Sequence, residues 1–330
     1  MTLRNVLSRS GSALLFVLVV PLYAATKPVS AAAINATTGH PVLTSSSKLN
    51  ASVVRAQVLL DRAHFSPGEI DGRFGATMRG TVAAFNRARN IKGAGSRVTA
   101  ETWKALNADA APAIVPYTIT AEDVAGPFTK IPEQMGEKAK LPSLGYESAA
   151  EGLGEKFHVS PALLAALNPG KSFDRAGTVI DVPNVARPPL EKTPGLYVRV
   201  SKSAGALEAV DADGNIVARY PATTGSRHDP LPLGEWKING VARNPTYNYN
   251  PKLFWDAEPG DKKAKLAAGP NSPVGSVWID LSKPHYGIHG TPVPSTIGKT
   301  SSHGCIRLTN WDALELAALV KYGTVAVLVK

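Results

Sequence analysis

The apolar positions along the chain change period twice. Leu49, Val53, Ala56 and Leu60 recur at helical spacing, as do Met78, Val82 and Phe85. Between them, Ser66-Pro67-Gly68-Glu69-Ile70-Asp71-Gly72-Arg73-Phe74-Gly75 predicts a tight, irregular connection. A short third helix is expected over residues 100–106, so residues 49–107 read as a small all-α three-helix module. Residues 117–185 mix the two periods. Residues 117–120 and 179–183 read as strands, and 149–157 and 161–167 as short helices, the second ended by Asn168-Pro169-Gly170. Past Arg187-Pro188-Pro189, which reads as a stiff linker, the period drops to two. Leu196, Val198 and Val200 alternate with Tyr197 and Arg199, and residues 207–210 and 216–220 flank the hairpin signal Asp213-Gly214. Residues 234–241, 276–281 and 286–289 continue the strand pattern. One helix interrupts it: Thr309 with Asp312 makes a capping-box start, Leu314, Ala317 and Ala318 keep helical spacing, and Gly323 stops it before a last strand over 324–329. Residues 195–330 are therefore expected to be mainly β with one helix.

The first residues follow neither period. Arg4 and Arg9 precede a short apolar run over 13–20, closed by Pro21 and followed by small residues at Ala24, Ala25 and Ala31 to Ala33. The run is too short to span a bilayer comfortably, which predicts a signal peptide over residues 1–25, removed on export, and no stable membrane span afterwards. No cysteine lies near the cleavage region, which excludes a lipoprotein. The expected location is the periplasm or cell wall. Residues 26–48, rich in Ala, Thr, Ser and Pro, read as a flexible linker.

An apolar content of 44% excludes a mostly disordered chain. The formal charge of +10, or +8 once Arg4 and Arg9 leave with residues 1–25, favours acidic polymers, among them the cell wall. The Lys and Arg form no long basic run and no common nucleic-acid-binding signature occurs, so nucleic acid is not an expected partner. Composition assigns no oligomeric state. Cys305 is the only cysteine. In an oxidising compartment cysteines tend to pair, and a lone one cannot do so within its chain. It is either inert filler or kept for its reactivity.

The neighbours of Cys305 bear on that choice. Ile288-His289-Gly290 is followed by Ser301-Ser302-His303-Gly304-Cys305-Ile306-Arg307-Leu308. The thiolate is the true nucleophile, and a neighbouring imidazole lowers a thiol pKa from about 8.5 toward neutrality. Loss of such an imidazole is then expected to return the thiol toward that value. Glycine lets a substrate backbone approach and frees N–H groups to meet a developing oxyanion. A zinc site is the competing reading: His285, His289, His303 and Cys305 are four ligand types at His-x₃-His and His-x-Cys spacing. The stretch from Asn244 to Pro273 holds Tyr247, Tyr249, Phe254, Trp255 and four lysines, and reads either as a substrate-covering lid or as an aromatic-packed loop.

The His-Gly element followed by Ser-His-Gly-Cys, with 16 residues from His289 to Cys305, resembles the catalytic motif of the L,D-transpeptidase family, and the resemblance extends over residues 195–330. It implies a β-sandwich-like catalytic domain with Cys305 as nucleophile and His289 as general base. It also implies that the Gly290 carbonyl orients that imidazole, that Ser302, His303 and Gly304 shape the loop, and that the Gly304 and Cys305 N–H groups line an oxyanion hole. Arg307 would position substrate, and Tyr286 would face the cleft. The implied reaction is acyl transfer from a peptidoglycan tetrapeptide stem to an amine, with no metal or organic cofactor. The product could be a crosslink, an exchanged D-amino acid or an anchored protein. A Cys–His endopeptidase is the alternative, although in papain-like peptidoglycan hydrolases the Cys precedes the His, the reverse of His289 and Cys305 here.

Residues 49–107 resemble a three-helix peptidoglycan-binding module through Gln57, the Pro67-to-Gly75 loop and Thr102-Trp103. Residues 117–185 resemble a LysM glycan-binding module through Phe157-His158-Val159-Ser160, Leu167-Asn168-Pro169 and residues 177–183. They depart from it by a stretch with Pro127, Pro132 and Pro142, where that family has a short turn. The partners implied are peptidoglycan stem peptides and glycan. Deleting 49–107 is expected to weaken wall binding and to spare turnover of small donors.

Overall fold

The computed structural model describes residues 29–330, so the signal-peptide reading of residues 1–25 lies outside the described residues. The N-terminal region is helical: α1 (Ala31–Asn35), α2 (Ala51–Arg62), α3 (Ala76–Ala88) and α4 (Ala100–Leu106). Asn50 accepts from the Ser52 and Val53 N–H groups and Thr99 from that of Thr102, which satisfies donors at the starts of α2 and α4. Leu59, Phe65, Phe74, Met78, Phe85 and Trp103 close the core between these helices. Gln57 explains its place in the motif. Its amide donates to Asp71 Oδ1 at 2.9 Å and its carbonyl accepts from Gly72 N at 2.7 Å, so it pins the connecting loop from inside.

The described part of the expected linker, residues 29–48, is packed. Ile34 is fully buried, Asn35 exchanges two hydrogen bonds with the backbone of Ile114, and His40 stacks on Trp103 with ring centroids 4.5 Å apart. Leu43 and Ser46 make backbone bridges to Val98 and Phe74. Isolated anchors in an Ala/Ser/Thr background carry no period, so composition alone could not reveal them.

The second region runs β1 (Ile114–Thr118), α5 (Met135–Lys138), α6 (Ala149–Lys156), α7 (Pro161–Leu167) and β2 (Val179–Pro183). β1 and β2 pair antiparallel, from Ile114 opposite Pro183 to Thr118 opposite Val179, so the first strand begins three residues before its expected start.

The third region holds β3 (Tyr197–Ser201), β4 (Ala206–Val210), β5 (Ile216–Pro221), β6 (Gly234–Arg243), β7 (Tyr247–Tyr249), β8 (Ala264–Leu266), β9 (Val277–Leu281), β10 (Gly287–His289), β11 (Ile306–Arg307), α8 (Asn310–Leu319) and β12 (Val325–Val329). Eight strands form one sheet in the order β11-β10-β9-β6-β12-β3-β4-β5, and β7 and β8 form a separate hairpin. β6 joins the two halves: Gly234 to Lys237 pair with β12 and Ile238 to Arg243 with β9. A bulge between Ile238 and Gly240 bends the strand there. The sheet curls around one core, where Val198, Tyr220, Ile279, Ile288, Leu316 and Leu328 meet. The chain is thus multidomain, with a helical N-terminal region and a mainly β, curled-sheet domain carrying one helix. None of the described helices is long and apolar enough to cross a membrane.

The regions do not separate cleanly, against the expectation from sequence. Ser66 N donates to Arg219 O at 2.8 Å and Arg219 N to His64 O at 2.9 Å, which ties the helical module to β5. Ile70 N donates to His158 O at 2.8 Å and Ser160 N to Ile70 O at 3.0 Å, tying it to the second region. Asp312, read as a capping residue, also accepts from Ser66 Oγ at 2.9 Å. At the junction lies Arg187, read as linker. Its guanidinium donates to Asp61 Oδ2 at 2.7 Å and to Glu315 Oε1 at 3.0 Å. Burial alone would raise the Asp61 pKa, but His158 and Arg187 outweigh it and hold that carboxyl below its ordinary value. Deleting 49–107 would strand these buried groups, so turnover is not expected to survive it.

Arg187→Ala is expected to destabilise the whole chain by about 3–5 kcal/mol, because it leaves Asp61 buried without its cation. Thermal unfolding at neutral pH measures this. The Asp61 contribution is present above the ordinary carboxyl range and lost as pH falls through the lowered pKa. The gap between wild type and variant should therefore narrow in acid, and a gap independent of pH would contradict the ion-pair account.

Candidate active site

β10 and β11 are adjacent and parallel, with Ile288 opposite Ile306 and His289 opposite Arg307. Parallel neighbours need a crossover, and the 16 residues from His289 to Cys305 supply it. The pairing places Cys305, just ahead of β11, beside the start of β10. Both side chains line one cavity of about 870 Å³, together with Tyr286, His303 and Arg307.

His289 is 4% exposed, and its Nδ1 lies 2.7 Å from the Gly290 carbonyl oxygen. A carbonyl only accepts, so Nδ1 carries the proton and Nε2 keeps a free lone pair. The Trp278 ring stacks on the imidazole at 5.6 Å and 21°. Burial, helped by the Arg307 charge, lowers the His289 pKa to about 4, against the Gly290 hydrogen bond.

Cys305 is reached from the cavity and crowded by protein elsewhere. Its thiol donates to the His285 carbonyl at 3.7 Å. His285 sits at a positive φ of 69°, a conformation that a non-glycine residue holds only when its surroundings impose it. Burial pushes the Cys305 pKa above its ordinary value, although the Gly287 backbone and Arg307 oppose this. The expectation of a thiol tuned toward neutrality is therefore not met in the resting site. The His289 imidazole is kept neutral, so it offers no cationic partner to a thiolate. Both shifts favour the uncharged forms, thiol and neutral imidazole.

The supporting residues divide into two groups. Ser302 is buried, and its Oγ donates to the Cys305 carbonyl at 2.5 Å, which clamps the loop from behind. Gly304 has φ +101°, and a Cβ there would lie 2.6 Å from Tyr286 Cε1. Gly290 is as tightly held, since a Cβ would lie 2.1 Å from Asn310 Oδ1. His303 turns away toward the β7–β8 hairpin. Its Nε2 is 2.7 Å from Asp256 Oδ1 and its ring meets Phe254 and Trp255 at 5.0 and 6.1 Å. Tyr247, Phe254 and Asp256 of that hairpin wall the cavity.

The family model described as the L,D-transpeptidase catalytic domain matches residues 195–329, and one described as "Putative peptidoglycan binding domain" matches residues 50–106. The protein named "Putative L,D-transpeptidase YkuD" in Bacillus licheniformis is 34% identical over 176 residues, 53% of this chain and 89% of that relative. The chain belongs to the L,D-transpeptidase family. The protein of the same name in Bacillus subtilis is 33% identical over 169 residues, 51% of this chain and 85% of the relative. Among solved structures, an L,D-transpeptidase from Xylanimonas cellulosilytica covers 88% of this chain and 99% of its own at 15% identity, with a TM-score of 0.37.

The zinc reading finds no support in the geometry of this L,D-transpeptidase. Among the described residues, no three His, Cys, Asp or Glu side chains are gathered to hold a metal ion. His303 Nε2 lies against Asp256 Oδ1, toward the β7–β8 hairpin.

Sequence reasoning missed Trp278, Asp256 and the cavity residues Glu133, Gln134 and Met135. Trp278 was within reach. In Val277-Trp278-Ile279-Asp280-Leu281 the buried positions alternate, which leaves Trp278 and Asp280 together on the other face of β9, toward the cavity. Glu133 and its neighbours belong to another region and gave no such signal.

Gly304→Ala is expected to slow thiol acylation of the transpeptidase by about 10²-fold, since the strained φ and the Tyr286 contact displace the loop holding Cys305. Single-turnover acylation followed by intact-protein mass spectrometry measures this. An unchanged rate would show that Tyr286 yields freely.

Proposed function

We propose that this L,D-transpeptidase forms a thioester between Cys305 and a peptidoglycan tetrapeptide stem and passes the acyl group to an amine. His289 Nε2 takes the thiol proton as Sγ attacks the carbonyl of the third stem residue, usually a diamino acid. The N–H groups of Gly304 and Cys305 receive the oxyanion, and the protonated His289 returns its proton to the departing D-Ala amine. In the second half-reaction an acceptor amine attacks the thioester, His289 takes the proton of that amine, and the Cys305 thiol is regenerated. Arg307, the one Lys or Arg among the described residues that lines the cavity, positions the substrate. The observation that carries this reading is the fixed tautomer of His289. Its Nδ1–H is held by Gly290, so a neutral imidazole presents Nε2 for proton transfer from a neutral thiol.

Such a substrate places the protein outside the cytoplasmic membrane, in the periplasm or cell wall, after removal of residues 1–25. On this reading residues 49–107 hold the wall, 117–185 form a LysM-like module and 195–330 carry the chemistry. Incubation of the full chain with a tetrapeptide donor and an amine acceptor, with mass spectrometry of enzyme and products, tests the proposal. An adduct that has lost D-Ala, followed by a transferred product, is expected. Hydrolysis with the acceptor ignored would favour the endopeptidase reading instead.

A further inference from the structure

The cavity has a wall that the catalytic domain does not supply. Glu133, Gln134 and Met135, from the stretch that interrupts the second region, line it together with Cys305 and His289. That stretch is built into the catalytic domain. Leu144 is fully buried and forms a small core with Tyr249 of β7 and Leu266 of β8, against which Ile131, Met135 and Leu141 pack. Leu144 N donates to Ala268 O and Leu144 O accepts from Asn271 N, both at 2.9 Å. The buried Asn271 side chain donates to Gly145 O at 2.9 Å and to Glu151 Oε1 at 2.8 Å. Gly269, at φ +149°, lets the chains meet this closely, because a Cβ there would lie 2.0 Å from Leu144 O. Glu147 accepts from Ile131 N at 2.7 Å and closes the stretch on itself. A segment this firmly held presents its side chains to the cavity as a fixed wall.

The lining of the cavity is acidic. The chain carries +10, yet the cavity is lined by Glu133, Asp229, Asp256, Glu258, Asp261 and Asp280 against Arg307. Three of these carboxylates have partners: Asp256 has His303, Asp261 the Tyr249 hydroxyl at 2.6 Å, and Asp280 the Trp278 indole at 3.2 Å. Glu133 is exposed and takes part in no hydrogen bond or ion pair among the described residues, although its charge reaches Lys138 on α5.

We propose that the 127–147 stretch is part of the transpeptidase site and that Glu133 is a specificity-determining residue favouring a peptide with a primary ammonium group. The inference rests on the Cys305 and His289 reading above. The ammonium belongs either to the side chain of the acyl donor or to the acceptor, and two assays distinguish these. Acylation without acceptor is measured with an ammonium-bearing tetrapeptide and with its N-acetylated, neutral form. Resolution of the acyl-enzyme is measured with an amine acceptor at varied concentration.

Glu133→Gln changes an exposed side chain and leaves the fold intact. It is expected to raise KM for the ammonium-bearing partner about 1.5- to 5-fold, leave kcat and the neutral peptide unchanged, and flatten the rise of KM with salt. Glu133→Lys should raise KM further. Binding of the ammonium-bearing and neutral peptides to the Cys305→Ala protein, with and without Glu133→Gln, reads the same selectivity without turnover. An equal response of charged and neutral peptides in that binding assay would overturn the inference. Absence of an acyl-enzyme in the wild type, with the binding selectivity intact, would overturn the proposed reaction and leave the selectivity of this wall standing.

Discussion

Cys305→Ala is expected to abolish acyl-enzyme formation, a loss of at least ~10⁴-fold in turnover, while the protein still melts as the wild type does. The size is that of removing the proposed nucleophile, as for other covalent catalysts. The fold is spared because the side chain is small and faces the cavity, with Ser302 holding the loop through the Cys305 backbone carbonyl and not through the thiol. Intact-protein mass spectrometry with a tetrapeptide donor reads the result. An adduct of unchanged mass in the variant would remove Cys305 from the mechanism. The same thiol should show a distinctive alkylation profile. Burial holds its pKa above the ordinary value, so iodoacetamide should react slowly at neutral pH and faster as pH rises through the alkaline range. A plateau reached near neutrality would mean a thiolate–imidazolium pair already exists at rest.

His289→Ala is expected to cut acylation by roughly 10²- to 10⁴-fold near neutral pH, the usual range for a lost acid–base group. His303→Ala costs less, because His303 is bound to Asp256 and acts through the hairpin. The pH dependence separates a base from a spectator. In the proposed mechanism the competent form of His289 is neutral, and burial lowers its pKa to about 4, so acylation dependent on it should be present above that value and lost as pH falls through it. The wild type should hold its rate from neutral pH down to about 5, once the donor's own ionisation is allowed for. In the variant the thiol must ionise unaided, and the rate should climb with pH toward the raised thiol pKa. If His303→Ala gave the larger loss and the pH-dependent climb, the two roles would be exchanged.

Much of this molecule was legible in its residues. The helices over Ala100–Leu106 and Pro161–Leu167 and the strand Val179–Pro183 lie where period and punctuation put them. Caps and breakers act within a few residues, so local sequence carries their signal. The family was legible for a different reason. The His-Gly and Ser-His-Gly-Cys elements lie at the two ends of one parallel crossover, β10 to β11.

What tertiary structure alone decided involves contacts between regions distant in sequence. Composition read residues 26–48 as free chain, but the described part is held by single anchors such as Ile34 and His40. Arg187 lies in a Pro-flanked stretch that reads as linker, yet Asp61 and Glu315, each more than 100 residues away, close on it. The thiol was expected to be tuned toward neutrality by its imidazole, yet burial dominates both groups, and desolvation depends on how many atoms the fold packs around a site. The stretch with Pro127, Pro132 and Pro142 looked like an interruption in another module, and became a wall of the catalytic cavity through Leu144 and Asn271. Local period and one motif in the chain suffice for many of its elements, for the family, and for naming Cys305 and His289 as the proposed reactive pair. The pKa shifts of that pair and the walls around it depend on the fold, because burial and electrostatics are sums over neighbours brought together by folding.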